Sequence, residues 1–263
     1  MLLYRVITGL VLAPVAVAAV FYLSSHAFAA VFWVVTALAV YEWAGLLKLE
    51  SVTRKLAYVL LYLGVCGVLY SLPSLHTSLI QLGCVLWVLC ALAVYLFPRG
   101  AQIYRGWFLG ALGLVLVSIA WLALLHVRAV PNGAYWVVWM FLVVWGADVG
   151  AYFAGRGFGK HKLAPQVSPG KTWEGVLGGM LLPGVVCGAL VLMYAPKGQI
   201  WVFITLGLIV VSVFGDLFES VLKRATGVKD SGTLLPGHGG MLDRIDSILA
   251  VLPFFAAAHM SLA

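Results

Sequence analysis

Long apolar runs alternate with short polar loops along almost the whole chain. Nine of these runs come close to the roughly 20 residues that a membrane-spanning helix needs. They are residues 6–23, 27–47, 56–72, 78–97, 107–127, 134–154, 175–195, 199–217 and 246–262. Because backbone polar groups find no water partners in lipid, such runs are expected to be helices, whereas barrel strands would alternate over about 10 residues. We therefore predict an all-α fold, a polytopic membrane helix bundle with about nine transmembrane helices.

The composition agrees with this class. Hydrophobic residues make up 63% of the 263 residues and charged residues 10%, compared with roughly 45–50% and about 25% in soluble proteins. Arg5, the first apolar run and Ala27-Phe28-Ala29 imitate a secretory signal peptide with its cleavage site. Since the chain stays apolar beyond that point, we expect the first run to be kept as a span.

Basic residues are divided unevenly between alternate loops. One set of loops carries only Arg128 and Lys197. The other set carries Arg5, Lys48, Arg54, Lys55, Arg99, Arg105, Arg156, Lys160, Lys162, Lys171, Lys223, Arg224, Lys229 and Arg244. By the positive-inside rule this larger set is cytoplasmic, which predicts a multi-pass cell (inner) membrane protein whose N-terminus and active site are cytoplasmic. Topology and contact with anionic lipid then explain the formal charge of +7, so no nucleic-acid partner is expected.

Acidic residues divide the chain into two regions. Up to about residue 130 the only acids are Glu42 and Glu50, so residues 1–130 are interpreted as an N-terminal transmembrane scaffold. The remaining acids lie between Asp148 and Asp246. Residues 131–263 are therefore predicted to form a C-terminal transmembrane catalytic region with cytoplasmic loops.

The first polar cluster, residues 146–175, begins with an acid at membrane depth. Asp148 and Tyr152 are four residues apart and share a helix face. An ionised Asp in that position costs roughly 2.5–3.5 kcal/mol, so Asp148 should face the bundle interior or a wet cavity. Pairing with a basic residue is an equally open interpretation.

The same cluster contains "PGKT", which matches the end of a P-loop. The first glycine of that motif would fall at Pro165, and the motif needs an α/β domain around it, so we set the P-loop interpretation aside. Glycines, a helix start near Trp173 and the charge of Lys171 nevertheless suit a phosphate. Lys160 and Lys162 fit equally well on anionic headgroups.

The second cluster, residues 215–224, is predicted to lie on a helix that leaves the membrane. Asp216, Ser220 and Lys223 fall at i, i+4 and i+7, which places a carboxylate, a hydroxyl and an ammonium along one stripe. Glu219 is interpreted as the partner of Lys223 in an ordinary surface pair.

The third cluster is the polar segment before the last span, residues 229–246. Asp243 and Asp246 lie three apart, where both can reach one ion, and carboxylate oxygens are the ligands that Mg²⁺ prefers. His238 can donate to an anion when it is protonated. A plain role of Asp243 at the helix start, with Arg244 beside it, is the alternative.

Residues 220–246, "SVLKRATGVKDSGTLLPGHGGMLDRID", resemble the signature of the phosphatidate cytidylyltransferases, also called CDP-diacylglycerol synthases. The matching positions are Ser220, Lys223, Arg224, Lys229, Asp230, His238, Gly239, Gly240, Asp243, Arg244 and Asp246. The segments "SPGKTWEG", residues 168–175, and "GDLFES", residues 215–220, resemble further parts of that family. Gly170 stands where members often carry a second lysine, which leaves open how many cations surround the phosphates.

The resemblance implies that CTP and phosphatidic acid react at the lipid bilayer to give CDP-diacylglycerol and pyrophosphate. It implies that Mg²⁺ is required, with a second cation left open, and that a homodimer is an assembly to consider. Asp216, Asp243 and Asp246 would form the metal site, and Lys223 would also be catalytic. The residues implied in substrate binding are Lys171, Ser220, Arg224, Lys229, His238, Arg244 and Asp148.

Two other functions stay open. A secondary transporter also places charges at membrane depth, but its site usually lies near the midplane between repeated halves, and no repeat is apparent in this sequence. A CTP-dependent lipid or polyprenol kinase of related architecture would differ in its products, which are a phospholipid and CDP.

Overall fold

Nine α-helices make up most of the described part of the chain. The computed structural model describes residues 2–99, 104–195, 197–228, 231–232, 234 and 239–262, with side chains from residue 11 onward. The helices are α1 (Leu2–Tyr22), α2 (Ser25–Leu46), α3 (Val52–Tyr70), α4 (His76–Leu96), α5 (Gly106–Ala129), α6 (Gly133–Phe158), α7 (Trp173–Tyr194), α8 (Gly198–Thr226) and α9 (Leu242–Leu262). An antiparallel hairpin of β1 (Lys162–Ala164) and β2 (Ser168–Thr172) precedes α7, and a single 3₁₀ turn, Pro73–Leu75, precedes α4.

The helices have the length and apolar character of membrane spans. Eight of those described, α2 to α9, are long and apolar enough to cross a membrane, and Val11–Tyr22 within α1 is a shorter apolar stretch. Within an 18-residue apolar stretch of each span, 67% of the residues of α5 and 56% of those of α9 are buried, compared with 11% of those of α3. The predicted all-α membrane bundle is therefore confirmed, with α5 and α9 near its centre and α3 at its edge.

Two helices reach beyond the apolar runs that predicted them. Helix α8 continues past residue 217 to Thr226, as expected for the second cluster, and ends at Gly227 with φ 80°. Helix α9 begins at Leu242, ahead of the predicted start at residue 246. A span predicted from hydropathy ends at its first charged residues. The observed helix continues past them where the charged side chains point toward a cavity. Most of the charged residues described in these two clusters therefore lie on helices.

Helices α6 and α7 pack with their backbones in contact. A Cβ atom on Gly150 would collide with the backbone of Gly178 and lie only 3.1 Å from Gly179 Cα. Small residues allow this close approach between membrane helices. The contact brings the Asp148 end of α6 beside the start of α7 and the hairpin that precedes it.

A second close crossing joins α8 to α9. A Cβ atom on Gly215 would lie 3.0 Å from the carbonyl oxygen of Asp246 and 2.8 Å from Ala250 Cβ. Only glycine leaves room for this approach. Because Asp216 follows this glycine directly, the crossing places the two acids next to each other.

Helix ends that the loop pattern assigns to the same side of the membrane lie close together. Arg105, just before α5, donates from Nη2 to the carbonyl oxygen of Ala225 near the end of α8 at 3.5 Å. At the opposite end of the bundle, Lys197 donates from Nζ to the carbonyl oxygen of Leu262 at 2.9 Å. We call the end that contains Arg105 the site end, because the polar clusters lie there.

Candidate functional site

One cavity gathers most of the predicted site residues. Its volume is about 1100 Å³, and residues from α1, α2, α5 to α9 and β2 line it. The charged residues in its lining are Asp148, Lys171, Asp216, Glu219, Lys223, Asp243, Arg244 and Asp246. All of these except Glu219 are among the residues predicted from the sequence.

The hairpin contributes a cation to this cavity. Lys171 lies on β2, and its Nζ is 2.7 Å from Asp216 Oδ2 of α8 and 3.5 Å from the carbonyl oxygen of Val213. The hairpin leads directly into α7, where Thr172 Oγ1 accepts a hydrogen bond from Gly175 N at 3.1 Å. This cap fixes the point at which the strand becomes a helix, and with it the position of Lys171.

A second cation holds two acids together. Lys223 Nζ lies 2.6 Å from Glu219 Oε2 and 2.7 Å from Asp243 Oδ1. The side chains of Lys223, Glu219 and Asp243 are 14%, 5% and 9% exposed. The three therefore form a nearly buried group in which one ammonium contacts two carboxyl groups.

This group corrects one sequence-based interpretation. The predicted i,i+4 pair of Glu219 with Lys223 is present, but it is buried at the cavity and is not a surface pair. Lys223 also contacts Asp243, whereas Asp216, on the same helix, contacts Lys171. The spacing along the chain indicates on which face of the helix a residue lies, but the burial of that face depends on the neighbouring helices.

Asp243 is held from two directions. Its Oδ1 meets Lys223, and its Oδ2 accepts hydrogen bonds from Gly240 N at 2.8 Å and from Ser231 N at 3.3 Å. The backbone turns sharply here, since Gly239 has φ 79°, a value that glycine adopts readily. Asp243 thus lies at the helix start, as the alternative interpretation has it, and also bonds to a cation from another helix.

Asp246 lies deeper along α9. Its Oδ1 accepts a hydrogen bond from Ser247 N at 2.6 Å. Asp216, which follows Gly215 at the contact with Asp246, and Asp148 line the same cavity as Asp246. Among the described residues, neither Asp246 nor Asp148 has a Lys, Arg or His nitrogen within 4.0 Å. The described contacts therefore do not support an ion-paired Asp148, which lies in the cavity wall.

Two predicted residues lie away from this lining. The cavity face of α8 carries Asp216, Glu219 and Lys223, at i, i+3 and i+7, so that Ser220 lies to one side and is half-buried. Arg224 is exposed and donates from Nε to the carbonyl oxygen of Val167 at 3.4 Å. It borders a separate pocket of about 350 Å³. Two further predicted residues, Lys229 and His238, lie outside the described residues.

The predicted metal ligands do not form one compact set. Within the described part of the chain, no three His, Cys, Asp or Glu residues are grouped as metal ligands. Of the predicted trio, Asp216 and Asp243 each contact a lysine, and Asp246 bonds to its neighbour's backbone. Mg²⁺ often takes only one or two carboxylates and completes its shell with water and substrate phosphates. Asp216 and Asp246, side by side at the cavity, provide that number and type of donor.

Two acids near the site, Glu219 and Glu42, were not among the site residues predicted from the sequence. Glu219 was interpreted as a surface residue, and Glu42 was left in the scaffold region. Glu42 is only 6% exposed, and its Oε2 accepts a hydrogen bond from Leu242 N at 2.8 Å. The available signal was an ionisable residue near the end of an apolar run, which by default suggests a function.

The other part of the cavity is apolar. Leu12 and Ala16 of α1, Phe32 of α2 and Trp145 of α6 line it. Leu124 of α5, which lies toward the end of its helix away from the site end, also borders it. The cavity therefore extends from the charged site end into the bundle.

The fold and the site together define a polytopic membrane protein in which charged side chains and an apolar wall share one cavity. Residues 3–262 match the sequence profile of the cytidylyltransferase family, and the chain belongs to that family. The resemblance seen in residues 220–246 is thereby confirmed.

Several relatives align with most of the chain. A phosphatidate cytidylyltransferase of Pseudomonas aeruginosa is 40% identical over 261 residues, which cover 98% of this chain and 96% of the relative. One from Haemophilus influenzae is 35% identical over 283 residues, covering 97% and 98%. One from Brucella suis is 42% identical over 217 residues, covering 80% and 76%.

Proposed function

We propose that this protein transfers the cytidylyl group of CTP to phosphatidic acid, giving CDP-diacylglycerol and releasing pyrophosphate. The observation that carries the proposal is the single cavity in which a charged region opens into an apolar one. A nucleoside triphosphate requires the charged region of the cavity, and a diacyl lipid requires the apolar region. The names of the relatives support the same reaction.

The reaction needs no protein nucleophile. A phosphate oxygen of the lipid attacks the α-phosphorus of CTP, a new P–O bond forms, and the bond to the bridging oxygen of pyrophosphate breaks. Both substrates are polyanions, so catalysis depends on positioning and on neutralising charge. The side chains suited to this are Lys171, Lys223 and Arg244, all of which face the cavity.

Both lysines keep a donor for a phosphate. An ammonium group has three N–H donors. Lys171 uses two in its contacts with Asp216 and Val213, and Lys223 uses two in its contacts with Glu219 and Asp243. The acids therefore hold each lysine in place while one donor stays available for a substrate oxygen.

We propose Asp246 and Asp216 as the protein ligands of Mg²⁺, with the triphosphate of CTP completing the shell. When it is bound, the ion neutralises charge on the phosphates and orients them. Asp243 is assigned to holding Lys223, since both of its oxygens are already engaged. Asp148 contributes negative charge to the cavity wall.

We place the site end on the cytoplasmic side, where CTP is available. The uneven division of basic residues between loops supports this orientation. Phosphatidic acid would reach the cavity from the bilayer along the apolar wall. We keep four further residues as proposed contacts of substrate phosphates: Ser220, Arg224, Lys229 and His238. Arg224, which borders a separate pocket, would make its contact at the margin of the main cavity.

Two positions of a radioactive label distinguish the proposed transfer from a lipid kinase. Purified protein is incubated with Mg²⁺, phosphatidic acid and CTP labelled at either the α- or the γ-phosphate. Cytidylyl transfer puts the α-label into the lipid and the γ-label into pyrophosphate. A parallel incubation supplies a lipid alcohol, diacylglycerol or a polyprenol, because phosphatidic acid has no hydroxyl group for a kinase to phosphorylate. A lipid kinase would put the γ-label into that lipid and release labelled CDP from the α-labelled CTP, with no α-label transferred to phosphatidic acid, and this result would overturn the proposal.

A further inference from the structure

Glu42 connects the N-terminal region to the start of α9. It lies near the end of α2, it is 6% exposed, and its Oε2 accepts a hydrogen bond from Leu242 N at 2.8 Å. The first backbone N–H groups of a helix have no partner within the helix, and the helix dipole favours a negative charge there. Glu42 therefore caps α9 from a helix that precedes it by 200 residues in the chain.

Gly232 and Gly240, which precede α9, lie directly on this carboxylate. A Cβ atom at Gly240 or at Gly232 would collide with the carboxylate of Glu42. The absence of a side chain at these two positions lets the loop backbone approach it. Gly240 N in turn donates to Asp243 Oδ2 at 2.8 Å. Glu42 and Asp243 thus accept hydrogen bonds from the same short backbone segment, at Leu242 and Gly240.

We propose that Glu42 is a positioning residue of the active site. By fixing Gly240 and Leu242, it sets the place of Asp243, which in turn holds Lys223 at the cavity. Burial of a carboxylate is costly unless it gains hydrogen bonds. The cap on α9 supplies one to Oε2, whereas Oε1 is buried without a hydrogen-bond partner among the described residues. The inference rests on the proposed role of Lys223 in binding phosphate.

The first test compares two substitutions with a matched control. Glu42→Ala removes the acceptor, Glu42→Gln keeps an oxygen in the same place, and Glu50→Ala removes an exposed acid at the same end of the bundle. We expect kcat for Glu42→Ala to fall about 10–100-fold, as is typical when a group that orients a site is removed. The KM for phosphatidic acid should stay close to the parental value. Glu42→Gln should recover most of the loss, and Glu50→Ala should be unchanged.

A double-mutant cycle tests the contact itself. Gly240→Ala should also lower kcat, because its methyl group displaces the carboxylate. Combined with Glu42→Ala, it should add little further loss, since residues in contact do not act additively. If Glu42→Ala fails to fold, Gly240→Ala still tests the proposal, and a parental kcat for that variant overturns it.

Parallel measurements on Lys223→Met distinguish a failure of the role proposed for Lys223 from a failure of the role proposed for Glu42. If Lys223→Met keeps parental activity, the proposed role of Lys223 fails, and this inference fails with it. If Lys223→Met is inactive while Glu42→Ala has the parental kcat, only the role of Glu42 is wrong. Equal losses of kcat in Glu42→Gln and Glu42→Ala, in step with falling melting temperatures, would indicate a merely structural residue and would also overturn the inference.

Discussion

Lys223 of α8 and Asp243 of α9 form an ion pair, with Nζ 2.7 Å from Oδ1. The pair joins two polar clusters that are separate in the sequence. Because Glu219 shares the same ammonium group, the cation is fixed on two sides. The orientation of Lys223 toward the cavity therefore depends on the correct packing of α9 against α8.

Replacement of this lysine should affect both stability and turnover. Lys223→Met leaves Glu219 and Asp243 buried without their cation, and breaking a buried ion pair in this way typically costs about 3–5 kcal/mol. Turnover should fall about 10²–10³-fold, as for the loss of a single electrostatic donor. Melting temperature in detergent and CDP-lipid formation measure the two effects.

A second change separates stability from turnover. Adding Glu219→Gln to Lys223→Met removes one uncompensated charge. The melting temperature of the double variant should therefore be higher than that of Lys223→Met, while its activity should stay as low. Recovery of activity together with stability would mean that Lys223 only supports the fold.

Lys171 should behave differently, because its pair with Asp216 is partly exposed. The two side chains are 25% and 35% exposed, and pairs of this kind typically contribute only about 0–1 kcal/mol. Lys171→Met should therefore keep nearly the parental melting temperature and lose about 10²–10³-fold in turnover. Lys162→Met, an exposed lysine on the other strand of the same hairpin, is the control and should stay active. Similar activities in the two variants would remove Lys171 from the site.

The membrane orientation can be measured with single cysteines. In a background without Cys66, Cys84, Cys90 and Cys187, we expect Lys162→Cys to react with an impermeant thiol reagent only from the cytoplasmic side. Lys197→Cys, at the opposite end of the bundle, should react only from the outside. The reverse pattern in intact cells would contradict the access of CTP to the site.

Much of the fold follows from hydropathy alone. Each predicted apolar run corresponds to one helix, because the bilayer requires long apolar segments whose backbone hydrogen bonds are internal. The limits are less predictable where a helix carries charges into a cavity. For that reason the extension of α8 to Thr226 required its polar stripe, and hydropathy alone placed the start of α9 at residue 246, whereas the helix begins at Leu242.

Most residues of the site could be predicted from the sequence, but the contacts between its acids and its lysines could not. Sequence motifs identified Lys171, Asp216 and Lys223, yet the spacing on α8 suggested that Asp216 and Lys223 act together. Which acid meets which lysine depends on how the hairpin and α9 pack against α8, and no local pattern records that packing. The role of Glu42 depends on a contact across 200 residues and is hidden for the same reason.

Asp246, beside Asp216, is proposed to bind Mg²⁺ for CTP. Asp246→Asn keeps the size of the side chain and removes the charge that a hard cation needs. Turnover should collapse even at saturating CTP. The melting temperature without Mg²⁺ should not fall, because one of several neighbouring negative charges is removed.

Asp243→Asn provides the contrast. It weakens the contacts of Asp243 with Lys223 and with two backbone N–H groups, so its melting temperature should fall. Its stabilisation by Mg²⁺ and CTP together should be kept, because its carboxylate is assigned to Lys223 and not to the metal.

The most direct test measures the melting temperature of Asp246→Asn with and without Mg²⁺ and CTP, side by side with CDP-lipid formation. The expected result is an inactive protein of parental stability whose melting temperature no longer rises when Mg²⁺ and CTP are added. An active Asp246→Asn protein that is destabilised but still stabilised by Mg²⁺ and CTP would contradict the assignment.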